Sequence, residues 1–285
     1  MTIQEARKQL LDKLSPVYSK SEANTINEWV IEHITGLNRS DRVLNKNYEI
    51  NSSQSEKLNE TAERLLKHEP VQYILNEAWF CGMKFYVDKH VLIPRPETEE
   101  LVEWIISNLK FPIDKLKILD IGSGSGCIPI SLKRKLRKTE VYSCDISTDA
   151  LKVAIHNAET LGAEVNFMQL DFLDAEERKR LPAFDIIVSN PPYVPEKDKL
   201  QMNQNVLNYE PHTALFVPDN DSLIFYKAIA DFGKQHLNAN GSIFLELHED
   251  YGKDVQTLFE KENFSTEIKK DMQGKERMLK AVYSF

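Results

Sequence analysis

The 285-residue sequence predicts an α/β fold, a mostly parallel sheet of seven strands preceded by a small helical bundle. Three observations carry that expectation. From Glu97 onward, strand-like apolar runs alternate with helix-like ones, the pattern of a parallel sheet covered on both faces. Ahead of residue 70, apolar residues recur at helical spacing and strand-like alternation is absent. Between the two lies a stretch rich in aromatic and β-branched residues that reads as a β-hairpin. The expected division is therefore a helical domain at 1–69, a hairpin linker at 70–96 and an α/β domain at 97–285.

The elements follow in order. Ile3, Ala6, Leu10, Leu11 and Leu14 form one helical stripe. "SKSEANTINEWVIEHITG" opens on a serine cap, carries Ile26, Val30, Ile31 and Ile34, and stops at Gly36. "SDRVL" supplies a short helix and "SSQSEKLNETAERLLKH" a long one. Gly82 lies between "EAWF" and "KFYV", as a hairpin turn requires, and "IPRP" makes a stiff exit. "LKILDI" is strand one and "CIPISLKRKL" begins a helix. "EVYSCD" is strand two, with a helix over Asp149–Leu161. "EVNFM" and "FDIIVS" are strands three and four. A helix over Ser222–Leu237 leads to "SIFLEL", strand five. "YGKDVQTLFEKE" is helical, and short strands near Phe264 and at Met278–Tyr283 complete the seven.

Composition excludes several classes of function. A net charge of −8 argues against non-specific nucleic-acid binding, which needs clustered cations on phosphates. Three cysteines without a CxxC pair argue against a disulfide framework or a zinc site, so no metal is expected and a reducing compartment fits. The N-terminus lacks an apolar signal core, and no window approaches a membrane span. A cytoplasmic location is expected.

"DIGSGSGC" follows strand one and opens a helix, the context of a nucleotide-type loop. Gly122, Gly124 and Gly126 admit backbone angles closed to other residues and let a ligand approach the main chain. The spacing is neither that of a dinucleotide fingerprint nor that of a P-loop. Asp120, directly before the loop, suits a cationic amino group and would repel a pyrophosphate. Asp145 ends strand two, where an acid meets ribose hydroxyls. Ser147 and Asp149 are the alternative caps there, which leaves Asp145 partly free for that task. Past strand three, Asp171 can accept from an exocyclic amine and Phe172 can lie on a purine face. Together these features describe a nucleoside carrying an amino acid, as S-adenosyl-L-methionine does.

"SNPPYVPE" follows strand four, where two prolines stop the ladder and stiffen the loop. A carboxamide nitrogen is a poor nucleophile, so its rate must come from positioning and from charge stabilisation. Its NH₂ offers two donors. Asn190 can present its side-chain oxygen to one and Pro191 its main-chain oxygen to the other, with Pro192 rigidifying the turn and Tyr193 offering a flat face.

"DIGSGSG" with "SNPPY" resembles the class I S-adenosylmethionine-dependent methyltransferases that act on a planar nitrogen. "EPVQYILNEAWFCGMKFYVDKHVLIPRPETEELV", "YEPHTALF" and "KDMQGKERMLKA" closely resemble the release factor glutamine methyltransferases, the PrmC/HemK family. The resemblance covers nearly the whole chain. It departs at Asn76 and Ser222, where glycine is usual, and in "LELHEDYG", which lacks the glycine that commonly follows the acid.

The resemblance implies a Rossmann-like class I methyltransferase fold and N5-methylation of the glutamine in the Gly-Gly-Gln motif of class 1 release factors. The cofactor implied is S-adenosyl-L-methionine, leaving as S-adenosyl-L-homocysteine. The implied cofactor contacts are Asp120, Gly122, Ser123, Gly124, Ser125, Gly126, Asp145, Asp171, Phe172 and Asn190. Asn190, Pro191, Pro192 and Tyr193 would hold the substrate, with Asn190, Pro191 and Tyr193 acting in catalysis. A monomer is expected, with no direct nucleic-acid partner and no membrane. An adenine-N6 methyltransferase of DNA or RNA shares the two loops and is the alternative; it should carry a basic recognition region. A non-catalytic cofactor-binding module is a third reading, which the intact Asn190–Tyr193 loop disfavours. Arg95, Glu97 and Thr98 are expected in the cleft wall, Cys127 and His212 in packing roles, and the cations from Lys133 to Lys138 at a solvated helix end.

Overall fold

The computed structural model describes residues 1–45, 48–109 and 115–283. They form two compact units. The first comprises Met1–Glu77 together with Asn203–Tyr209, and the second Ala78–Met202 with Glu210–Phe285.

The first unit is helical: α1 Ile3–Leu14, α2 Lys20–Thr35, α3 Arg39–Leu44, α4 Ser52–Leu65 and α5 Val71–Leu75. Its first four helices start on side-chain caps. Thr2 and Glu5 form a reciprocal capping box on α1, Asn51 and Gln54 do so on α4, and Ser19 caps α2. Gly36 ends α2 at φ +68°, in the left-handed region, at the stop expected there. Ile3, Leu10, Leu14, Val30, Ile31, Leu58 and Leu65 bury their stripes in one core. Arg42 is buried against Glu28 at 2.6 Å and Glu32 at 3.2 Å. The later helix Gln204–Tyr209 belongs here as well, and the Tyr209 hydroxyl donates to the Lys67 carbonyl at 2.8 Å.

Residues 71–75, expected within the hairpin region, are helical. Asn76 ends that helix at φ +54°, which accounts for the departure from glycine, since asparagine tolerates the left-handed region best among the rest.

The second unit begins with the hairpin itself, β1 Ala78–Phe80 and β2 Met83–Phe85. Cys81 at φ +49° and Gly82 at φ +73° make the two-residue turn, in which both central residues have positive φ. Phe80 and Phe85 are fully buried in the core of this unit, so the hairpin is a packed part of it.

The chain continues through α6 Pro96–Asn108, β3 Lys117–Ile121, α7 Cys127–Lys135, β4 Glu140–Asp145, α8 Thr148–Leu161, β5 Asn166–Gln169 and α9 Ala175–Arg178. Next come β6 Phe184–Ser189 and β7 Val194–Pro195, then α10, the Gln204–Tyr209 helix of the first unit. β8 Phe216–Val217, α11 Ile224–His236, β9 Leu237–Glu246, α12 Gly252–Lys261, β10 Phe264–Lys270 and β11 Glu276–Tyr283 finish it. β7 and β8 pair only with each other.

Seven strands form one sheet in the order β10-β11-β9-β6-β3-β4-β5, parallel except for β11, which runs antiparallel to both its neighbours. Alternation along the strands sorts two cores. Leu119, Ile187, Ile243 and Leu279 meet Ile229 and Phe232 of α11 and Phe259 of α12. Ile118, Ile186, Phe244 and Met278 meet Leu101 and Ile105 of α6, Leu132 of α7 and Ala158 of α8. The chain builds β4 and β5 on one side of β3 and β6 on the other. That reversal opens a crevice at the strands' carboxyl ends, where open α/β sheets bind ligands.

Candidate active site

Register places the site. Ile121 lies level with Cys144 on one neighbour and Ser189 on the other, and Ser189 is level with Leu245. The next residue of each strand is Gly122, Asp145, Asn190 and Glu246. A glycine backbone, a carboxamide and two carboxylates therefore leave the sheet side by side.

The glycine loop is held by its neighbours. The Cys144 carbonyl accepts from the Gly122 and Ser123 amides at 2.9 and 3.0 Å. Gly122, Gly124 and Gly126 have φ of +88°, +51° and +80°. Asn157, buried on α8, donates from Nδ2 to the Ser125 carbonyl and to the Tyr86 carbonyl, each at 2.9 Å, and accepts from the Tyr86 amide at 2.7 Å. One amide thus ties the loop to the strand leaving the hairpin. Asp145 Oδ2 accepts from the Gly124 amide and Oδ1 from the Ser147 amide, both at 2.9 Å. Ser147 is the cap of α8, as the alternative caps allowed. Burial raises the Asp145 carboxyl above its ordinary range against those two amides. Each oxygen keeps a lone pair for a hydroxyl donor.

A cavity of about 380 Å³ opens on this edge. Gly122, Ser123, Gly124, Ser125, Asp145, Asp171, Phe172, Asn190, Pro191 and Pro192 all line it, so ten expected residues share one wall. Gly126 shapes it from behind by admitting Ile130 and Ala154. The Phe172 ring packs edge-on against Phe232 at 5.3 Å. Asp171 turns its loop by accepting the Leu173 amide at 2.9 Å.

Three expected contacts lie outside the lining, Gly126 being the first. Asp120 does not line the cavity; it is completely buried. It lies level with Ser143 on β4, whose hydroxyl donates to Asp120 Oδ2 at 2.6 Å and also meets the Ser123 hydroxyl at 2.6 Å. Burial pushes the Asp120 carboxyl up to about 8. Its other oxygen has no partner. Asp120 therefore meets the loop through two serines rather than by direct charge. Tyr193 is likewise outside the lining. Its hydroxyl donates to Glu246 Oε1 at 3.2 Å and its ring meets His248 edge-on at 5.7 Å. Burial first, and the Glu246 charge second, drive its phenol well above the ordinary range.

Three residues of the site were not singled out from sequence. Glu246, 2% exposed, accepts from the Thr98 hydroxyl at 2.6 Å, and Thr98 accepts from Asn190 Nδ2 at 3.1 Å. Burial pushes the Glu246 carboxyl up to about 7. Glu210, also buried, takes Arg95 Nη2 at 2.6 Å and the Ile93 amide at 3.3 Å, which holds Arg95 in the cavity wall. His90 lines the same cavity near the mouth of β4. The signals for Glu246 were an acid at the end of the apolar run "SIFLEL" and the acid of "LELHEDYG" that the resemblance marks. Burial raises the Cys127 thiol to about 12, and Cys127, expected in a packing role, also lines the cavity. Lys133 donates to the Thr139 carbonyl at 2.7 Å and Lys135 pairs with Glu103, so part of the basic run closes a helix end.

The lining fits a nucleoside bearing an amino acid. It holds two carboxylates, no lysine, and a single arginine already engaged by Glu210, which is unsuited to a phosphate chain. No cluster among the described residues is arranged to hold a metal ion, and no described helix is long and apolar enough to cross a membrane.

Comparison with known proteins gives the same picture at larger scale. Residues 99–213 match the family model described as "Methyltransferase small domain", and residues 5–75 match "PrmC N-terminal domain". The chain is 42% identical to the release factor glutamine methyltransferase of Flavobacterium psychrophilum, covering 99% of this chain and 100% of that protein. It is 40% identical to the protein of the same name from Bacteroides thetaiotaomicron, covering 94% and 95%. Among solved structures, a methyltransferase from Pyrococcus furiosus superposes with a TM-score of 0.52 at 16% identity, over 78% of this chain and 98% of that one, a likeness of fold.

Proposed function

The chain belongs to the release factor glutamine methyltransferase family, and on that premise we propose that it transfers a methyl group from S-adenosyl-L-methionine to the side-chain amide nitrogen of the glutamine in the Gly-Gly-Gln motif of class 1 release factors. The observation that carries this is the meeting of the glycine loop, Asp145 and the Asn190–Pro191 pair on one cavity wall.

When bound, S-adenosyl-L-methionine supplies an electrophilic methyl carbon on a sulfonium. The chain's own residues do the rest. Asp145 accepts ribose hydroxyls on the lone pairs its two amide partners leave free. Phe172 offers a ring face to the base, and the glycine backbone admits the amino-acid part. The Asn190 side-chain oxygen and the Pro191 carbonyl accept the two amide hydrogens of the substrate. Gripping both fixes the nitrogen's direction and stabilises the positive charge that grows on it. Prolines 191 and 192 hold that carbonyl without reorganisation. Tyr193 supports the loop by its bond to Glu246 rather than by stacking in the cavity.

The helical unit is the part we assign to gripping the release factor. A single glutamine offers little area, so specificity must be drawn from contacts remote from the reacting centre. Incubation with labelled cofactor and either a release factor or an adenine-containing duplex tests the activity. Mass spectrometry of the Gly-Gly-Gln peptide should show one added methyl on glutamine. Label on the duplex alone would overturn the assignment in favour of adenine methylation.

A further inference from the structure

Asn190 can serve as an acceptor only if its amide is turned the right way. A carboxamide is nearly symmetric in shape, and a half-turn would put its NH₂ against the substrate's own donors. Something must fix its polarity.

Thr98, itself in the cavity wall, bonds to it, and Glu246 lies behind Thr98. Thr98 stands in the first turn of α6, 2% exposed, and its hydroxyl has one proton to give. Glu246, at the end of β9, accepts the hydrogen bond from that O–H at 2.6 Å on Oε2. The threonine oxygen can then only accept, and it accepts from Asn190 Nδ2 at 3.1 Å. That bond leaves Asn190 Oδ1 for the cavity side. Glu246 is anchored by the Tyr193 hydroxyl on Oε1, and the Tyr226 hydroxyl fixes its main chain at 3.0 Å.

We propose that Thr98 and Glu246 are positioning residues that set the polarity of the Asn190 carboxamide, with the ionised Glu246 dictating that Asn190 presents oxygen to the substrate. The inference rests on the glutamine-methylating activity proposed above. An ionised carboxylate is acceptor-only, so the chain Asn190 to Thr98 to Glu246 has one direction. A proton on Oε2 reverses it. Glu246 then donates to Thr98, the threonine proton is free to seek Asn190 Oδ1, and the amide turns its nitrogen toward the substrate.

The environment brings this reversal into a working pH range. Burial is the largest influence on Glu246 and pushes its carboxyl up to about 7. The Thr98 and Tyr193 hydrogen bonds and the Arg277 charge from β11 oppose burial, while Glu97 on α6 reinforces it. Tyr226 from α11 stays un-ionised beside it, and burial lowers the neighbouring His248 imidazole, so neither adds a charge near neutrality. Turnover should fall on the acid side of about 7, as Glu246 takes its proton.

Single-turnover methylation of a Gly-Gly-Gln peptide between about pH 5.5 and 9 tests the inference. Thr98→Val should lose about 10- to 100-fold in rate, with cofactor Kd within about twofold, and Thr98→Ser should recover most of the rate. Glu246→Gln should lose the acid limb. Thr98→Val at the wild-type rate, or an acid limb that survives in Glu246→Gln, would overturn the proposal while the activity stands. A second measurement needs no turnover and no variant. In the ¹⁵N- and ¹³C-labelled wild-type chain, the Asn190 side-chain NH₂ signals should shift with the same midpoint as the Glu246 carboxyl. Independent titration of the two sinks the proposal, even if the wild type methylates nothing and the activity itself is wrong.

Discussion

Gly126 stands at φ +80°, and a Cβ built on it would lie 2.8 Å from Ile130 Cδ1 and 3.2 Å from Ala154 Cβ. Alanine there meets both a left-handed backbone and a filled space. Gly126→Ala should cost about 1–3 kcal/mol in urea unfolding and weaken cofactor binding by calorimetry. Gly124, with nothing near its Cβ position, pays only the backbone part. At Asn190 the expected outcome separates binding from chemistry. Asn190→Ala should leave cofactor Kd nearly unchanged and lower the single-turnover rate about 100-fold. A rate within a few-fold of wild type would remove Asn190 from the mechanism. These residues were legible because their task is local: three glycines after a strand, and a proline pair after another. Glu246 and Glu210 were not, because their meaning depends on Thr98 and Arg95, 148 and 115 positions away in sequence. The environment of Asp120 was hidden for a related reason. Its place before the loop is visible in sequence, but its cross-strand serine is known only once register is fixed.

Among the elements, the hairpin shows how far pattern reading reaches. Its turn and flanking aromatics were plain, yet the burial of Phe80 and Phe85 in the core of the α/β unit was not. Alternation along so short a ribbon cannot say which surface will cover it. Phe85→Ala should destabilise the chain by about 3–5 kcal/mol in denaturant midpoint, because a fully buried ring leaves a cavity. Trp79→Ala on the opposite face, with the tryptophan 60% exposed, should stay within about 0.5 kcal/mol. The five residues of α5 run against their composition. Valine, tyrosine and isoleucine favour strands locally, but Val71 and Leu75 bury into the helical core, and packing overrides propensity. The helix α6 was passed over as the mere start of the alternating region, although it delivers Thr98 to the site.

For the whole molecule, buried acids set a slope of stability against pH. Asp120 rises from 3.8 to about 8 and Glu246 from 4.5 to about 7, and burial also raises Asp145 and Glu210. Across that window the folded chain holds protons that the unfolded chain has released. The number bound is larger in the folded state, so these groups make stability fall as pH rises. Melting temperature measured from about pH 5 to 8 should reflect that decline, and Asp120→Asn should flatten it. A slope unchanged in the variant would mean that Asp120 is not the group responsible. The parallel sheet covered by helices was readable from the alternation of elements, but the strand order that opens the crevice was not, because alternation leaves open which strands become neighbours. What no local pattern reveals is that the helical unit is written in two places, at Met1–Glu77 and again at Asn203–Tyr209. The second passage begins ten residues past Tyr193 and ends just before Glu210, the partner of Arg95. The helical unit is therefore no detachable cassette. A chimera that exchanged only the leading segment with a relative would carry one parent's helices and the other parent's Asn203–Tyr209 insert, so recombination at the apparent boundary should yield mismatched hybrids unless both stretches travel together.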